Sequence, residues 1–276
     1  MAIKRFSFSE MALPKISVVT PTYNASATIQ TCLESVTHQS YRPVEHIIVD
    51  GASQDGTMEL VRSFARRHKH VRCRSEKDEG IYDAMNQGIK MAAGEWIYIL
   101  GSDDTFYQDD VLSQVFTNEL LLDADVIYGD VLSERFGGKY DGEFSGEKIV
   151  KKNICHQAIF FRRSVFEKVG MFDLQFKGHA DWDHNLRWLL NPAIRRTYVP
   201  ITIANYADGG FSSVNPDHTF GGMKKILALR YDRGVLSPRY KASLAKALAK
   251  EAFAIGNRRE AFRYYFLFLK SRIQAL

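Results

Sequence analysis

Short β-branched runs alternate along this chain with stretches whose apolar residues recur at helical spacing. Ile16 to Thr20 (ISVVT) predicts a first strand ending at Pro21. A helix opens at Ser26 or Ala27, with Ile29, Leu33 and Val36 on one side. Glu45 to Val49 predicts the second strand, Thr57 to His68 a helix, and Val71 to Ser75 a third strand. Ile81 to Ala93 reads as a helix with Ala84, Met85 and Ile89 inward and Gly94 as its stop. An apolar strand then runs into Gly101-Ser102-Asp103-Asp104, followed by a helix near Val111 to Leu121 and a strand at Val126 to Tyr128. The β-α-β-α order predicts an α/β fold with a mostly parallel sheet flanked by helices.

Past Asp130 the periodicity weakens. Ser133 to Gly146 reads as a loop or hairpin, His156 to Phe161 as a strand, and Ser164 to Val169 as a short helix. A helix at Asp183 to Leu190 and a late strand at Thr197 to Tyr206 complete this part. From Phe220 onward three helical stretches are divided near Ser237-Pro238 and Gly256-Asn257. Leu244, Leu248, Ala252 and Ile255 share one face, as do Phe262, Tyr265, Phe266, Leu269 and Ile273. The division expected is a leader at 1–14, a catalytic domain at 15–218 and a basic helical region at 219–276.

Charge sharpens that boundary. The whole chain of 276 residues has a formal charge of +5, with 37 Lys and Arg against 32 Asp and Glu. Residues 219–276 hold 13 of the basic and 3 of the acidic residues, so the tail carries +10 and the remainder −5. A basic tail of this kind suits nucleic acid or an anionic membrane surface, and a solvated helical face is the plainer alternative. No segment approaches the roughly 20 apolar residues that cross a bilayer. The first 14 residues lack the apolar centre of a secretory signal and read as a leader, a candidate for disorder. Cys32, Cys73 and Cys155 have no metal-ligand spacing and fit reduced thiols in a cytoplasmic protein.

The chemistry concentrates at strand ends. Adjacent carboxylates at Asp103 and Asp104 repel each other, and a fold that places such a pair at the carboxyl end of a strand usually supplies a divalent cation there. The first strand ends in Pro21-Thr22-Tyr23-Asn24, without the glycine patterns of dinucleotide folds or P-loops. Tyr23 can stack on a base, although a turn with a helix cap explains the same four residues. Asp50 can accept from a base N–H or a ribose hydroxyl, or close an Asx-turn.

In order, PTYN, VDGASQDGT, GIYDAMNQGIKMAAGEW and SDD resemble the inverting glycosyltransferases of family 2, which have the GT-A fold. Phe172-Asp173 followed by Ala180-Asp181-Trp182-Asp183 is similar to that family's base-bearing segment, and Gly209-Gly210-Phe211-Ser212 to a motif of its bacterial polysaccharide branch. The resemblance covers Lys15 to Ser213. It implies a nucleotide-sugar donor, with UDP the commonest nucleotide in the family, and a glycan or lipid-linked acceptor in polysaccharide or glycolipid biosynthesis. On this reading Pro21, Thr22, Tyr23, Asn24, Asp50, Asp83, Ser102 and Asp103 bind the donor. Asp104, supported by Asp103, holds Mn²⁺ or Mg²⁺, which stabilises the departing diphosphate. Asp181 is the base that deprotonates the attacking hydroxyl.

Three positions depart from the family pattern. Gly101 stands at the first aspartate of the fuller acidic motif, Gly51 at the second aspartate after strand two, and Ala180 at the glutamate beside the base. Asp183 therefore rivals Asp181, and on a helix the two point to different sides. His156, His179 and Ser212 are further candidates for acceptor or donor contact, each with an ordinary structural alternative. Trp182 and Trp188 read as core. The expected setting is cytoplasmic, at the inner membrane face if the tail binds lipid, and as a homo-oligomer if the tail packs on another subunit; nucleic acid is not an expected partner. A nucleotidyltransferase would need a basic glycine-rich loop where PTYNAS stands. A degenerate transferase-like scaffold is the non-catalytic alternative.

Overall fold

The structure is a computed structural model that describes residues 13–118, 121–207 and 217–275. Strands β1 (Ile16–Thr22), β2 (Val44–Asp50), β3 (Val71–Ser75) and β4 (Trp96–Ile99) lie parallel in the order β3-β2-β1-β4. Every residue of β1 and β2 is buried, as expected of a parallel sheet covered on both faces. Alternation along β2 sorts its side chains. Ile48 packs in a small cluster with residues of α1 (Ile29–Thr37) and α2 (Thr57–Arg67), while Ile47 and Val49 join the main core. Helix α3 (Ile81–Met91) lies close against β1, where a Cβ on Gly88 would stand 2.3 Å from Val19 Cγ1.

Beyond β4 the sheet changes character. Its neighbour is β8 (Ile159–Arg162), antiparallel, followed by β6 (Val126–Ser133), β9 (Arg196–Asn205) and β5 (Thr105–Phe106), with β7 (Gly138–Tyr140) paired to β6. This mixed sheet, nine-stranded among the described residues, matches the α/β expectation for its first half and adds antiparallel strands in its second. The strand expected from His156 begins at Ile159, because His156–Ala158 form a 3₁₀ turn. Helices α4 (Val111–Phe116), α5 (Gly146–Lys151), α6 (Ser164–Val169) and α7 (Ala180–Leu189) fill the connections.

The basic C-terminal region forms three helices, α8 (His218–Tyr231), α9 (Pro238–Ala254) and α10 (Arg258–Ile273). Helix α8 shares the main core: Phe220 is buried against Phe176, His179 and Trp182, and Tyr231 donates a 3.0 Å hydrogen bond to Asp183. Leu244, Leu248 and Ala252 of α9 are buried as expected, but Ile255 is 80% exposed. In helix α10 the stripe from Phe262 to Ile273 faces outward, and Leu267 and Phe268 lie on the half-buried side. Among the described residues no helix is long and apolar enough to cross a membrane.

Candidate active site

Because β1, β2 and β4 are parallel neighbours, their carboxyl ends open together, and a cavity of about 590 Å³ lies there. It is lined by Pro21, Thr22, Tyr23 and Asn24 after β1 and by Gly101, Ser102, Asp103 and Asp104 after β4. His156 and Gln157 reach it from the 3₁₀ turn, and Lys77, Asp78 and Tyr82 from the entry to α3. Eight of the residues picked from the sequence thus share one cavity: Pro21, Thr22, Tyr23, Asn24, Ser102, Asp103, Asp104 and His156. Asn24 sits in the left-handed region (φ 48), which asparagine tolerates, and fastens the turn after β1 to the turn after β2. Its N–H donates to Ser53 Oγ (2.7 Å) and its Oδ1 accepts from Gln54 N–H (2.9 Å). Tyr23 is left exposed at the rim, with its ring available for stacking.

The acidic pair is asymmetric. Asp103 is exposed, whereas Asp104 is buried, accepting from Gln157 Nε2 (2.6 Å) and from the Ala207 N–H (2.8 Å). Burial, and then the neighbouring Asp103 charge, push the Asp104 carboxyl up to about 6. Gly101 leaves room that the two carboxylates use. A Cβ there would lie 2.4 Å from Asp104 Oδ2 and 2.9 Å from Asp103 Oδ1, so both carboxylates already converge on the space of a third side chain. Two converging carboxylates, one buried at an electrostatic cost, form a donor set that suits a hard divalent cation. No group of three or more metal-ligating side chains occurs among the described residues, so such an ion needs other ligands, as a diphosphate provides.

Asp50, Asp83, Asp181, Asp183 and His179 do not line the cavity. Asp50 is fully buried, bonded to Ser53 Oγ, to Ser53 N–H (3.0 Å) and to Ser75 Oγ (2.6 Å), so its carboxylate holds the β2 turn together. The carboxylate facing the cavity near that turn is Asp78, whose Oδ2 would be 2.9 Å from a Cβ on Gly51. Asp78 therefore fills the space that a second aspartate in this turn would need. Asp83 accepts from Glu79 N–H (3.1 Å) and Gln87 Nε2 (3.0 Å) at the start of α3.

Asp181 stands directly behind the cavity wall. Its Oδ1 accepts from Tyr82 Oη (2.9 Å), its Oδ2 from Asn153 Nδ2 (2.8 Å), and His156 Nδ1 is 3.7 Å away. Burial raises this carboxyl, but His156, Tyr82 and His179 together hold it below its usual value, so it is ionised at neutral pH. Asn86 of the GIYDAMN motif fixes the arrangement by exchanging two hydrogen bonds with the backbone of Phe172 (2.9 and 3.0 Å). Asp183 points away, paired with Arg187 (2.9 Å) and Tyr231, in a structural position. His179 stacks on Phe220, Trp188 is core, and the half-buried Trp182 donates to Ile149 O (2.7 Å). Ala180 is wholly buried where the family pattern has glutamate. Ser212 lies outside the described residues.

Sequence reasoning missed Gln157, Asn153, Tyr82 and Asp78. Gln157 was hidden inside HQAIFF, which reads as one strand although its polar start is a turn. Asn153 and Tyr82 meet Asp181 across 28 and 99 residues, and no local pattern carries such pairings.

Comparison with known proteins bears on this geometry. The model of the family described as Glycosyl transferase family 2 matches residues 17–170. A Mycobacterium tuberculosis protein named PGL/p-HBAD biosynthesis glycosyltransferase is 37% identical over 215 residues, covering 76% of this chain and 84% of that relative. Residues 1–349 of S. aureus TarS superimpose with a TM-score of 0.66 at 19% identity, covering 95% of this chain and 80% of that one. The chain spans 43% of a longer TarS chain, and the 1–349 form is also known in complex with UDP-GlcNAc. A Pyrobaculum calidifontis mannosyltransferase in complex with GDP-Man and Mn²⁺ aligns with a TM-score of 0.59 at 19% identity, covering 95% of this chain and 74% of that one. At such identities the structural likeness speaks for the fold.

Proposed function

The chain belongs to glycosyl transferase family 2, and from that premise we propose that its cavity holds a UDP-sugar whose sugar passes to a hydroxyl of a glycan or lipid-linked acceptor. The observation that carries this reading is the convergence of Tyr23, Asp103 and Asp104 on one cavity, with the ionised Asp181 immediately behind its wall. Tyr23 stacks on the base, and Thr22 and Asn24 offer polar groups beside it. UDP-GlcNAc and GDP-Man in the two structural neighbours support a nucleotide-sugar donor, and the relative named for PGL/p-HBAD biosynthesis supports a biosynthetic transferase. We read residues 15–218 as the catalytic part and 219–276 as its basic helical extension.

In the transfer the acceptor oxygen attacks the anomeric carbon as the bond to the diphosphate breaks, which inverts the configuration. Asp181 takes the hydroxyl proton. Tyr82 and Asn153 each occupy one lone pair of its carboxylate and hold it in place, leaving other lone pairs for the acceptor. His156 lines the cavity with its Nδ1 3.7 Å from the Asp181 carboxylate, so the acceptor hydroxyl reaches that carboxylate beside the imidazole ring. Asp103 and Asp104 would hold Mn²⁺ or Mg²⁺, which when bound neutralises charge on the departing diphosphate. Gln157 and the Ala207 N–H keep Asp104 oriented toward that task.

The test is a thermal-shift screen of UDP-, GDP- and dTDP-sugars with and without Mn²⁺, followed by donor turnover with the best ligand. Stabilisation by one nucleotide sugar, enhanced by Mn²⁺, and turnover lost in Asp104→Ala are expected. Stabilisation by no nucleotide sugar would defeat the proposal.

A further inference from the structure

We propose that α10 is an interfacial helix that docks the protein on an anionic lipid surface. The stripe Phe262, Tyr265, Phe266, Leu269 and Ile273 follows the i, i+3, i+4, i+7, i+11 spacing of a single helix face. A helix of a globular protein usually buries such a face. Here it points the other way: the five side chains are between 42% and 73% exposed, while Ala261 and Ser271 on the opposite side are buried. Phe253 and Ile255, at the turn from α9, are exposed as well, 71% and 80%. Neither core cluster contains a residue of α10.

The charges around the stripe identify what covers it. At 100° per residue, Arg272 flanks it on one side and Arg259, Arg263 and Lys270 on the other, while Arg258 stands in line with the stripe one turn before Phe262; all five are exposed. The single acidic residue of the helix, Glu260, lies toward the packed side and pairs with Arg263 at 3.3 Å. Lys246 and Lys250 add exposed charge on α9. A second copy of the chain laid face to face on this stripe would bring two rows of cations together with no acid between them. Anionic headgroups complement these cations, and acyl chains take the aromatic and aliphatic side chains beside them. No helix among the described residues is able to span a bilayer, so the contact lies in the plane of the surface.

The docking does not depend on the donor chemistry proposed above, because it concerns a surface outside the cavity. The test is co-sedimentation of the full chain with vesicles of phosphatidylcholine alone and of phosphatidylcholine mixed with phosphatidylglycerol, at low and high salt. Strong binding only to the mixed vesicles is expected, weakened by salt. Phe262→Ser with Phe266→Ser, and separately Arg259→Glu with Lys270→Glu, should each reduce binding by at least about tenfold. All four side chains are exposed, and circular dichroism and melting curves check that both variants fold. Equal sedimentation with and without vesicles would overturn the proposal, as would unchanged binding by the Phe262/Phe266 variant. So would a wild-type dimer, unbound to vesicles, that the same substitutions convert to monomer.

Discussion

Asp181 and His156 face each other at 3.7 Å, and of the two only His156 lines the cavity. The carboxylate is held by Tyr82 and Asn153 and kept ionised despite its burial. A base must be anionic where the hydroxyl reaches it, and the neighbours of Asp181 keep it so.

Asp181→Asn keeps the shape of the site and removes the proton acceptor. It should lower kcat by about 10²–10⁴-fold while leaving donor affinity intact. Steady-state kinetics beside nucleotide titration would check this, and a loss confined to KM would contradict the assignment.

Tyr82→Phe deletes a hydrogen bond that favours the ionised form of Asp181. A depressed carboxyl pKa keeps the base active down to acidic pH, with activity lost as pH falls through that value. Removing the hydroxyl should therefore move the acidic limb of the kcat/KM profile toward higher pH. An unmoved limb would mean that another group sets it.

Asp104 couples the site to stability. Its folded-state pKa of about 6 lies above the ordinary carboxyl value of 3.8, so between these limits the folded chain retains a proton that the unfolded chain has released. Stability contributed by this group therefore falls as pH rises through that window. Asp104→Asn should melt higher than wild type at pH 8 without divalent ions, by at most about 3 kcal/mol, with the difference closing toward pH 4. The amide is accommodated because Gln157 Oε1 has no hydrogen-bond partner and can turn to accept from it. Differential scanning fluorimetry across pH would show the effect.

Gly101→Asp restores the fuller acidic motif on paper, but the space is already taken by the oxygens of Asp103 and Asp104. The substitution should destabilise the fold by about 1–3 kcal/mol in urea unfolding. Wild-type stability in this variant would show that the loop opens freely.

Much of the first half of the fold was legible in the sequence. Val71–Ser75 matches its expected bounds, because turn signals and periodicity agree there, and beyond Asp130 so does the short helix Ser164–Val169. The antiparallel insertion of β8 beside β4 was not legible, since pairing across some 60 residues leaves no local pattern. Within the site, the strand-end motifs located the cavity, but Asp50 is bonded to its own turn and to Ser75 of β3, and Asp83 to the start of α3. A carboxylate in a turn reads the same whether it faces a ligand or its own backbone. For α10 the periodicity located the face but not its outward direction, because spacing defines a face without saying what covers it.

The most direct test of the central claim is calorimetric titration of UDP into wild type and Asp104→Asn, each with Mn²⁺ and with EDTA. Cation-supported binding at the acidic pair requires UDP affinity to rise at least about tenfold with Mn²⁺ in wild type and to stay flat in the variant. Equal affinity in all four titrations would contradict it.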